Sequence, residues 1–173
     1  MLKRYIPTMH AKSIYEIDVS LYKKLGVKYV LADLDNTLDS YKQKTPSKQA
    51  LFLKEELMAE GIEIIITSNN TGKRVTTYSK ALGVRFMSRV GKPFARGLLK
   101  KLNQMKLDKN EVILIGDQTV TDICCANGAK IKSILTDKLV KEDQPTTRFN
   151  RLFDKPIRRK LNKKNLLKDW REF

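Results

Sequence analysis

Acidic residues in this sequence directly follow a run of apolar residues. Asp33 and Asp35 come at the end of the run Tyr29–Leu34, which has the composition of a β-strand. Two carboxylates two positions apart in an extended or turning chain can approach one small volume and hold a hard cation between them. The alternative is a solvated turn, because Asp and Asn favour turns through side-chain hydrogen bonds to the backbone. The rest of the chain separates the two interpretations.

Polar residues that suit a phosphoryl group follow further along the chain. Ser68 and Asn69 end a second apolar run, 62–67, and both can donate hydrogen bonds to a phosphoryl oxygen. Lys92 stands before Pro93, a residue that can open a helix, so one cation would be held at a fixed position in a loop. The sequence thus supplies donors and a cation in addition to the carboxylates.

Strand-like and helix-like segments alternate along the chain. Strands are predicted at about 29–33, 62–67, 84–87, 112–115 and 131–135, and helices at about 45–60, 71–82, 93–105 and 121–127. The predicted caps are Thr45 or Ser47 for the first helix and Thr71 for the second. This alternation predicts an α/β fold of three layers, with a parallel sheet and a site at the carboxyl ends of its strands. Asp117 and Asp122, after the strand 112–115, should reach the same edge.

The order of these motifs resembles that of the haloacid dehalogenase (HAD) superfamily of phosphotransferases. The segment 33–37, Asp-Leu-Asp-Asn-Thr, looks like its first motif, Ser68 the second, Lys92 the third, and Gly116-Asp117 with Asp122 the fourth. Four motifs in the right order are far more specific than any one of them. More narrowly, the chain resembles the YqeG-type family of subclass IIIA, which is similar to mitochondrial phosphatidylglycerophosphate phosphatases.

The resemblance implies a role for each carboxylate. Asp33 would be the nucleophile that forms an aspartyl-phosphate, and Asp35 would be the general acid and base. Mg²⁺ would be bound by Asp33, by Asp35 through its backbone carbonyl, and by Asp117. The cation would offset the repulsion between the nucleophile and the phosphate dianion.

The resemblance also assigns the groups around the phosphate. Ser68 and Lys92 would hold its oxygens, and Asn69 would either contact the phosphate or cap the following helix. Asp122 would orient the lysine or a metal-bound water, and Thr37 would hold the turn and position the acid/base carboxylate. The spacing leaves no room for a large cap domain, which predicts an open site suited to large or surface-bound phosphomonoesters.

Composition is consistent with one domain over residues 1–173. The chain has 173 residues, 41% of them hydrophobic, without the ~20-residue apolar run of a membrane span and without a secretion signal at the amino terminus. A cytoplasmic location is expected, with a peripheral location at the membrane as the alternative. The adjacent Cys124 and Cys125 are interpreted as reduced, His10 as non-catalytic, and Asp39 as a solvated residue beside the first motif.

The formal charge of +16 indicates a polyanionic partner. Residues 151–173 form a basic, amphipathic carboxyl-terminal extension, in which a helix is predicted after Pro156 with Ile157, Leu161, Leu166 and Trp170 on its apolar side. Three interpretations remain open. The helix could dock on its own domain, lie on an anionic membrane surface, or contact nucleic acid.

Two functions of different classes follow from the sequence. The first is a Mg²⁺-dependent phosphomonoester hydrolase, with phosphatidylglycerophosphate as the best substrate hypothesis. The alternative is a basic nucleic-acid or ribosome-associated module with a secondary phosphatase site, against which the full set of acids and lysine argues. A phospho-acceptor receiver domain is a weaker third possibility, because it would not need the acid/base at position 35.

Overall fold

Six parallel strands form one sheet in the described chain, which comprises residues 2–70, 72–140 and 145–173 of a computed structural model. The strands are β1 (Met9–Ala11), β2 (Tyr29–Asp33), β3 (Glu63–Thr67), β4 (Phe86–Met87), β5 (Val112–Gly116) and β6 (Lys132–Thr136). Their order is β1-β6-β5-β2-β3-β4, and every pairing is parallel. The strands β2, β5 and β3 therefore lie side by side at the centre.

Six α-helices of the described residues cover the sheet. They are α1 (Val19–Lys24), α2 (Lys48–Ala59), α3 (Lys73–Leu82), α4 (Ala95–Gln104), α5 (Cys124–Ala129) and α6 (Pro145–Lys163). Shorter turns of 3₁₀-helix are found at Leu2–Tyr5, Ile14–Glu16, Lys109–Glu111 and Trp170–Glu172, and a π-helical turn at Thr119–Ile123. The helices α1, α2 and α3 pack in one apolar cluster, while α4 and α5 pack in a second.

Burial on both faces explains the continuous apolar character of the strands. Neighbouring side chains of a strand point to opposite faces, so Val30 and Ala32 of β2 join the first cluster and Leu31 joins the second. All three are completely buried. The predicted three-layer α/β/α fold is confirmed, and the helices on both faces are what allows strands without a polar side.

Segments 34–47 and 68–85 decide how open the carboxyl edge is. The first contains no helix or regular strand, and the described part of the second contains only α3. The expected absence of a large cap domain therefore agrees with the described residues. Within residues 2–70, 72–140 and 145–173, no helix is both long enough and apolar enough to span a membrane.

The boundaries of several elements differ from the sequence predictions. Residues 9–11, where no strand was predicted, form the edge strand β1, and α1 was not predicted either. Ser47 is the N-cap of α2, where its hydroxyl accepts a hydrogen bond from the Ala50 N–H at 3.1 Å. The N-cap of α3 is Gly72, and Thr71 lies outside the described residues. Phe94, predicted on the apolar side of α4, is exposed.

The prediction for the carboxyl-terminal extension was wrong in its boundaries. α6 begins at Pro145 and contains Pro156 in its interior, and it ends at Lys163, so Trp170 lies in a separate 3₁₀ turn. Leu161 is fully buried, Trp170 packs on the first cluster, and the His10 N–H donates to the Lys168 carbonyl at 2.7 Å. The extension is docked on its own domain.

Candidate active site

The residues expected to perform chemistry meet at one edge of the sheet. Asp33 is the last residue of β2 and lies beside Thr67, the last residue of β3. Ser68 follows β3, and Asp117 follows the last residue of β5. Because parallel strands end at a common edge, three distant parts of the sequence are brought together, as predicted.

Lys92 lies between two carboxylates. Its Nζ is 2.5 Å from Asp33 Oδ1 and 2.7 Å from Asp122 Oδ1, and its side chain is only 3% exposed. Burial alone would lower the pKa of Lys92, but the charges of Asp122 and Asp33 outweigh it and raise the pKa above its ordinary value. Burial raises the pKa of Asp33 well above its ordinary value, against the opposing effect of Lys92. The lysine therefore remains charged and offsets part of the negative charge of the two acids.

Asn69 fixes the backbone of Lys92. The Lys92 N–H donates to Asn69 Oδ1 at 2.8 Å, and Asn69 Nδ2 donates to the Lys92 carbonyl at 2.7 Å. Of the two alternatives for Asn69, phosphate contact or helix cap, the cap is not found, because the N-cap of α3 is Gly72. Ser68 is buried, and its hydroxyl accepts a hydrogen bond from the Asn70 N–H at 3.0 Å. The Ser68 O–H is still a potential donor to an oxygen, because the bond from Asn70 uses it as an acceptor.

Asp122 is held on its second oxygen as well. Its Oδ2 accepts hydrogen bonds from the Gln118 N–H at 3.2 Å and the Thr121 hydroxyl at 3.3 Å. Gly116 makes room for this carboxylate, because a Cβ at that position would overlap with the Asp122 side chain. The geometry agrees with the expectation that Asp122 orients Lys92.

Asp35 has a partner that sequence reasoning missed. Arg74, in the first turn of α3, donates to Asp35 Oδ1 from Nε at 3.0 Å and from Nη2 at 2.8 Å. The same guanidinium donates to the carbonyls of Ser40 and Gln43 in the segment after the first motif. Arg74 therefore ties α3 to both the acid and its loop. The signal available in the sequence was an arginine in the first turn of the helix that follows the second motif.

Two neighbours of the first motif behave differently from expectation. Thr37 is buried, and its hydroxyl has no hydrogen-bond partner among the described residues, so the contact expected to position Asp35 is not found. Asp39 was expected to be solvated but is buried, and its Oδ2 accepts from the Tyr78 hydroxyl and from the Ser47 N–H at 2.9 Å. Asp39 thus links the loop to α2 and α3.

Asp117 is completely buried and pairs with α6. Arg151 donates to Asp117 Oδ2 from Nη2 and to the Asp117 carbonyl from Nη1 at 3.1 Å. The other carboxylate oxygen, Oδ1, has no hydrogen-bond partner among the described residues. Burial raises the pKa of Asp117 to about 6, against the opposing effect of Arg151.

A row of charged residues on α6 contacts the loop after β5. Asp154 Oδ1 accepts hydrogen bonds from the Thr119 N–H and hydroxyl, both at 2.6 Å. Arg158 donates to the Asp117 carbonyl at 2.7 Å and to the Thr136 carbonyl at 2.5 Å. Sequence reasoning missed this row because it began the helix after Pro156, which separated Arg151 and Asp154 from Arg158. The spacing 151, 154, 158 on one helical face was the available signal.

The donor set fits a divalent cation. Asp33 and Asp117 offer two carboxylates, and Mg²⁺ in proteins commonly uses one or two carboxylates and keeps several waters. The described residues contain no cluster of three or more His, Cys, Asp or Glu side chains arranged for a metal, so a cation here would rely on these two carboxylates, backbone carbonyls and water. A buried carboxylate oxygen without a partner is costly, so the bare Oδ1 of Asp117 favours a cation there.

The cysteines and the histidine agree with their predicted structural roles. Cys124 and Cys125 are buried and not disulfide-bonded. His10 lies on the edge strand β1, where its Nε2 is 3.3 Å from Asp137 Oδ1. None of these residues belongs to the carboxylate and lysine cluster.

Comparisons with known proteins agree with this geometry. The family model described as "haloacid dehalogenase-like hydrolase" matches residues 2–136. The chain is 32% identical over 173 residues to "Probable phosphatase YqeG" of Bacillus subtilis, covering 99% of this chain and 100% of that one. It is 28% identical over 158 residues to "Phosphatidylglycerophosphate phosphatase 1, chloroplastic/mitochondrial" of Arabidopsis thaliana, covering 81% of this chain but 43% of that protein.

A solved structure supports the fold. The 3-deoxy-D-manno-octulosonate 8-phosphate phosphatase of Yersinia pestis superposes with a TM-score of 0.51 and 13% identity, covering 74% of this chain and 83% of that one. At this identity the likeness concerns the fold alone. The family match and the full-length relative carry the assignment. The chain therefore belongs to the haloacid dehalogenase-like hydrolase family and is an enzyme of its phosphatase type.

Proposed function

We propose that this enzyme is a Mg²⁺-dependent phosphomonoester hydrolase that works through an aspartyl-phosphate on Asp33. The observation that carries the proposal is the position of Asp33. It ends a central strand at the open edge of the sheet, its side chain is 14% exposed, and Lys92 holds one of its oxygens. A carboxylate that is fixed on one oxygen and still reachable is suited to in-line attack on phosphorus.

The reaction takes place in two displacements. In the first, the other oxygen of Asp33 forms a bond to phosphorus while the bond to the leaving oxygen breaks, and Asp35 gives its proton to that oxygen. In the second, Asp35 takes a proton from water, the water oxygen bonds to phosphorus, and the Asp33 carboxylate is released with inorganic phosphate. Arg74 keeps Asp35 in place through both steps.

The phosphate would be bound by Lys92 and the Ser68 hydroxyl, where charge develops on its oxygens. Asp33, the Asp35 carbonyl and Asp117 would hold Mg²⁺. When bound, the cation supplies positive charge that offsets the repulsion between the carboxylate and the phosphate dianion. Asn69 acts on this site indirectly, through the Lys92 backbone.

The mechanism is tested by phosphate release from a generic aryl phosphate. We expect turnover with Mg²⁺, none after chelation, and none from Asp33→Asn, since the amide cannot attack phosphorus as an anion. A matched control is Asp108→Asn, a change of the same chemistry at the 3₁₀ turn before β5. Activity that persists in Asp33→Asn or without divalent metal would rule out the mechanism.

We further propose phosphatidylglycerophosphate as the substrate. The edge has no large cap domain, so a headgroup at a membrane surface could reach it. A second face of α6, distinct from the one that contacts the loop after β5, carries Leu152, which is 69% exposed, together with a set of exposed basic residues. These are Lys155, Arg159, Lys160 and Lys163. Such a face suits an anionic lipid surface, to which each basic residue adds roughly 1 kcal/mol.

The substrate proposal is tested with vesicles that contain phosphatidylglycerophosphate. Because residues 161–170 help to bury the core, deletion of the extension would disturb folding, and substitution is the better probe. The triple variant Arg159→Glu, Lys160→Glu, Lys163→Glu should bind anionic vesicles more weakly and release lipid phosphate more slowly, yet retain turnover of a soluble phosphomonoester. Equal vesicle binding by variant and native chain would refute the membrane proposal. Binding of RNA in place of vesicles, lost in the variant, would support the nucleic-acid alternative.

A further inference from the structure

We propose that Arg151 is a positioning residue for the metal site, which it serves by holding Asp117 from the last helix of the chain. The inference rests on the proposed function, because it assigns a task to a residue outside the four motifs. Arg151 would occupy one oxygen of Asp117 and fix the rotation of its carboxylate, so that the other oxygen is left for the cation.

The hydrogen bonds of Arg151 are suited to fixing a rotamer. One nitrogen of the guanidinium donates to the Asp117 side chain and another to the Asp117 main chain. A planar group that spans both parts of one residue restrains the torsion angles between them. Arg151 is itself buried, and it lies 34 positions after Asp117 in the sequence. The restraint is thus supplied by α6 and not by the β5 loop itself.

The two oxygens of Asp117 are treated differently. Oδ2 is paired with Arg151, whereas Oδ1 is buried without a partner among the described residues. A role in stability alone would be served best if both oxygens were satisfied, because a buried acceptor without a hydrogen bond is destabilising. This arrangement is typical of a carboxylate that binds a metal ion through one oxygen and is oriented by a hydrogen bond to the other.

The charge of Arg151 is itself compensated. Asp154, one helical turn later, has its Oδ2 3.7 Å from Arg151 Nη1, and its Oδ1 binds the Thr119 N–H and hydroxyl. Asp154 Oδ2 is also 3.2 Å from Arg158 Nε, so this carboxylate offsets part of the positive charge of both arginines and reduces their repulsion toward a cation. Arg151 and Asp154 also hold the loop at both Asp117 and Thr119, so α6 fixes the loop on either side of Gln118.

The test is the affinity of the full chain for Mg²⁺, measured by calorimetry without substrate. We expect Arg151→Met to weaken binding about 10–100-fold, the range found when a partner of a metal-binding group is removed. Arg151→Lys, which retains the charge and one donor, should fall between native and Arg151→Met. The control is Arg159→Met, an exposed arginine on the same helix, which should bind like the native chain.

A second readout separates positioning from folding. Melting is followed with and without Mg²⁺, and the stabilisation by metal should shrink in Arg151→Met and in Arg151→Lys, whatever their melting temperatures without metal. Native affinity in both Arg151 variants would overturn the inference. Tighter binding would also overturn it, because Arg151 would then compete with Mg²⁺ for Asp117. If the native chain binds no Mg²⁺, the proposed metal site fails and the inference fails with it, whereas native binding with unchanged variants refutes the role of Arg151 alone.

Discussion

Replacement of Lys92 by Met should lower the free energy of unfolding by about 3–5 kcal/mol, the cost of removing one member of a buried ion pair. The lysine is 3% exposed and lies 2.5 and 2.7 Å from Asp33 and Asp122. Met has a similar length and fills the space without charge. The two carboxylates then face each other without a counter-ion, and Asp122 is 1% exposed, so water cannot replace the lost partner. Uptake of a proton by Asp33, whose pKa is already raised by burial, would place the loss at the lower end of the range.

Urea unfolding at neutral pH, followed by circular dichroism, measures this loss. Lys100→Met on the exposed side of α4 is the matched control and should change stability by less than about 0.5 kcal/mol. Addition of Asp122→Asn to Lys92→Met should recover part of the loss, since one of the two uncompensated charges is removed. Both Lys92 variants should lack phosphatase activity. Two results would refute the view that Lys92 stabilises two buried carboxylates. One is a loss in the free energy of unfolding below about 1 kcal/mol for Lys92→Met, and the other is no recovery in the double variant.

Three further predictions concern catalysis, packing and pH. Asp35→Asn should turn over an activated aryl phosphate, whose leaving group needs no proton, far better than an alkyl phosphate, and equal loss of kcat on both would count against the acid/base assignment. Gly97→Ala should lower the free energy of unfolding, measured in urea, by about 1–3 kcal/mol, because its Cβ would overlap with the Val90 carbonyl oxygen. A gain of about 1 kcal/mol, usual for Ala in place of Gly in a helix, would contradict this contact. The hydrogen bond from His10 lowers the pKa of Asp137 in the folded protein. The stability that this carboxylate contributes is therefore present above its unfolded pKa and lost as the pH falls through the lower folded pKa. Asp137→Asn should therefore cost about 0.2–1 kcal/mol near pH 7 and nothing at a pH low enough to protonate the native carboxyl, as acid titration of both chains would show.

The sheet and the motif residues could be predicted because their signals are local. A buried strand is a short apolar run, and the residues that follow it must lie at the carboxyl edge, so Asp33, Ser68 and Asp117 could be placed together from the sequence. The resemblance to a known family then supplied the order of the motifs. Neither argument requires knowledge of how distant helices dock.

The second set of contacts depends on such docking. Arg74 and Arg151 look like ordinary surface residues in a chain with 35 Lys and Arg, and only the packing of α3 and α6 brings them to Asp35 and Asp117. The edge strand β1 has three residues and pairs with β6 far along the chain, so its local signal is weak. Pro156 was interpreted as a helix start, although its position inside α6 shows that tertiary contacts outweigh the missing N–H.

The contacts of α6 have a consequence for synthesis of the protein on the ribosome. Asp33 and Lys92, which pair with each other, are synthesised before α6. Asp117 and Thr119 are bound by residues of α6, Asp117 by Arg151 and Thr119 by Asp154. A nascent chain that has already folded its sheet would still present an Asp117 whose orientation is not fixed. Under the proposed mechanism, metal binding and catalytic competence should therefore arise only once α6 has been synthesised and docked, after the sheet has formed.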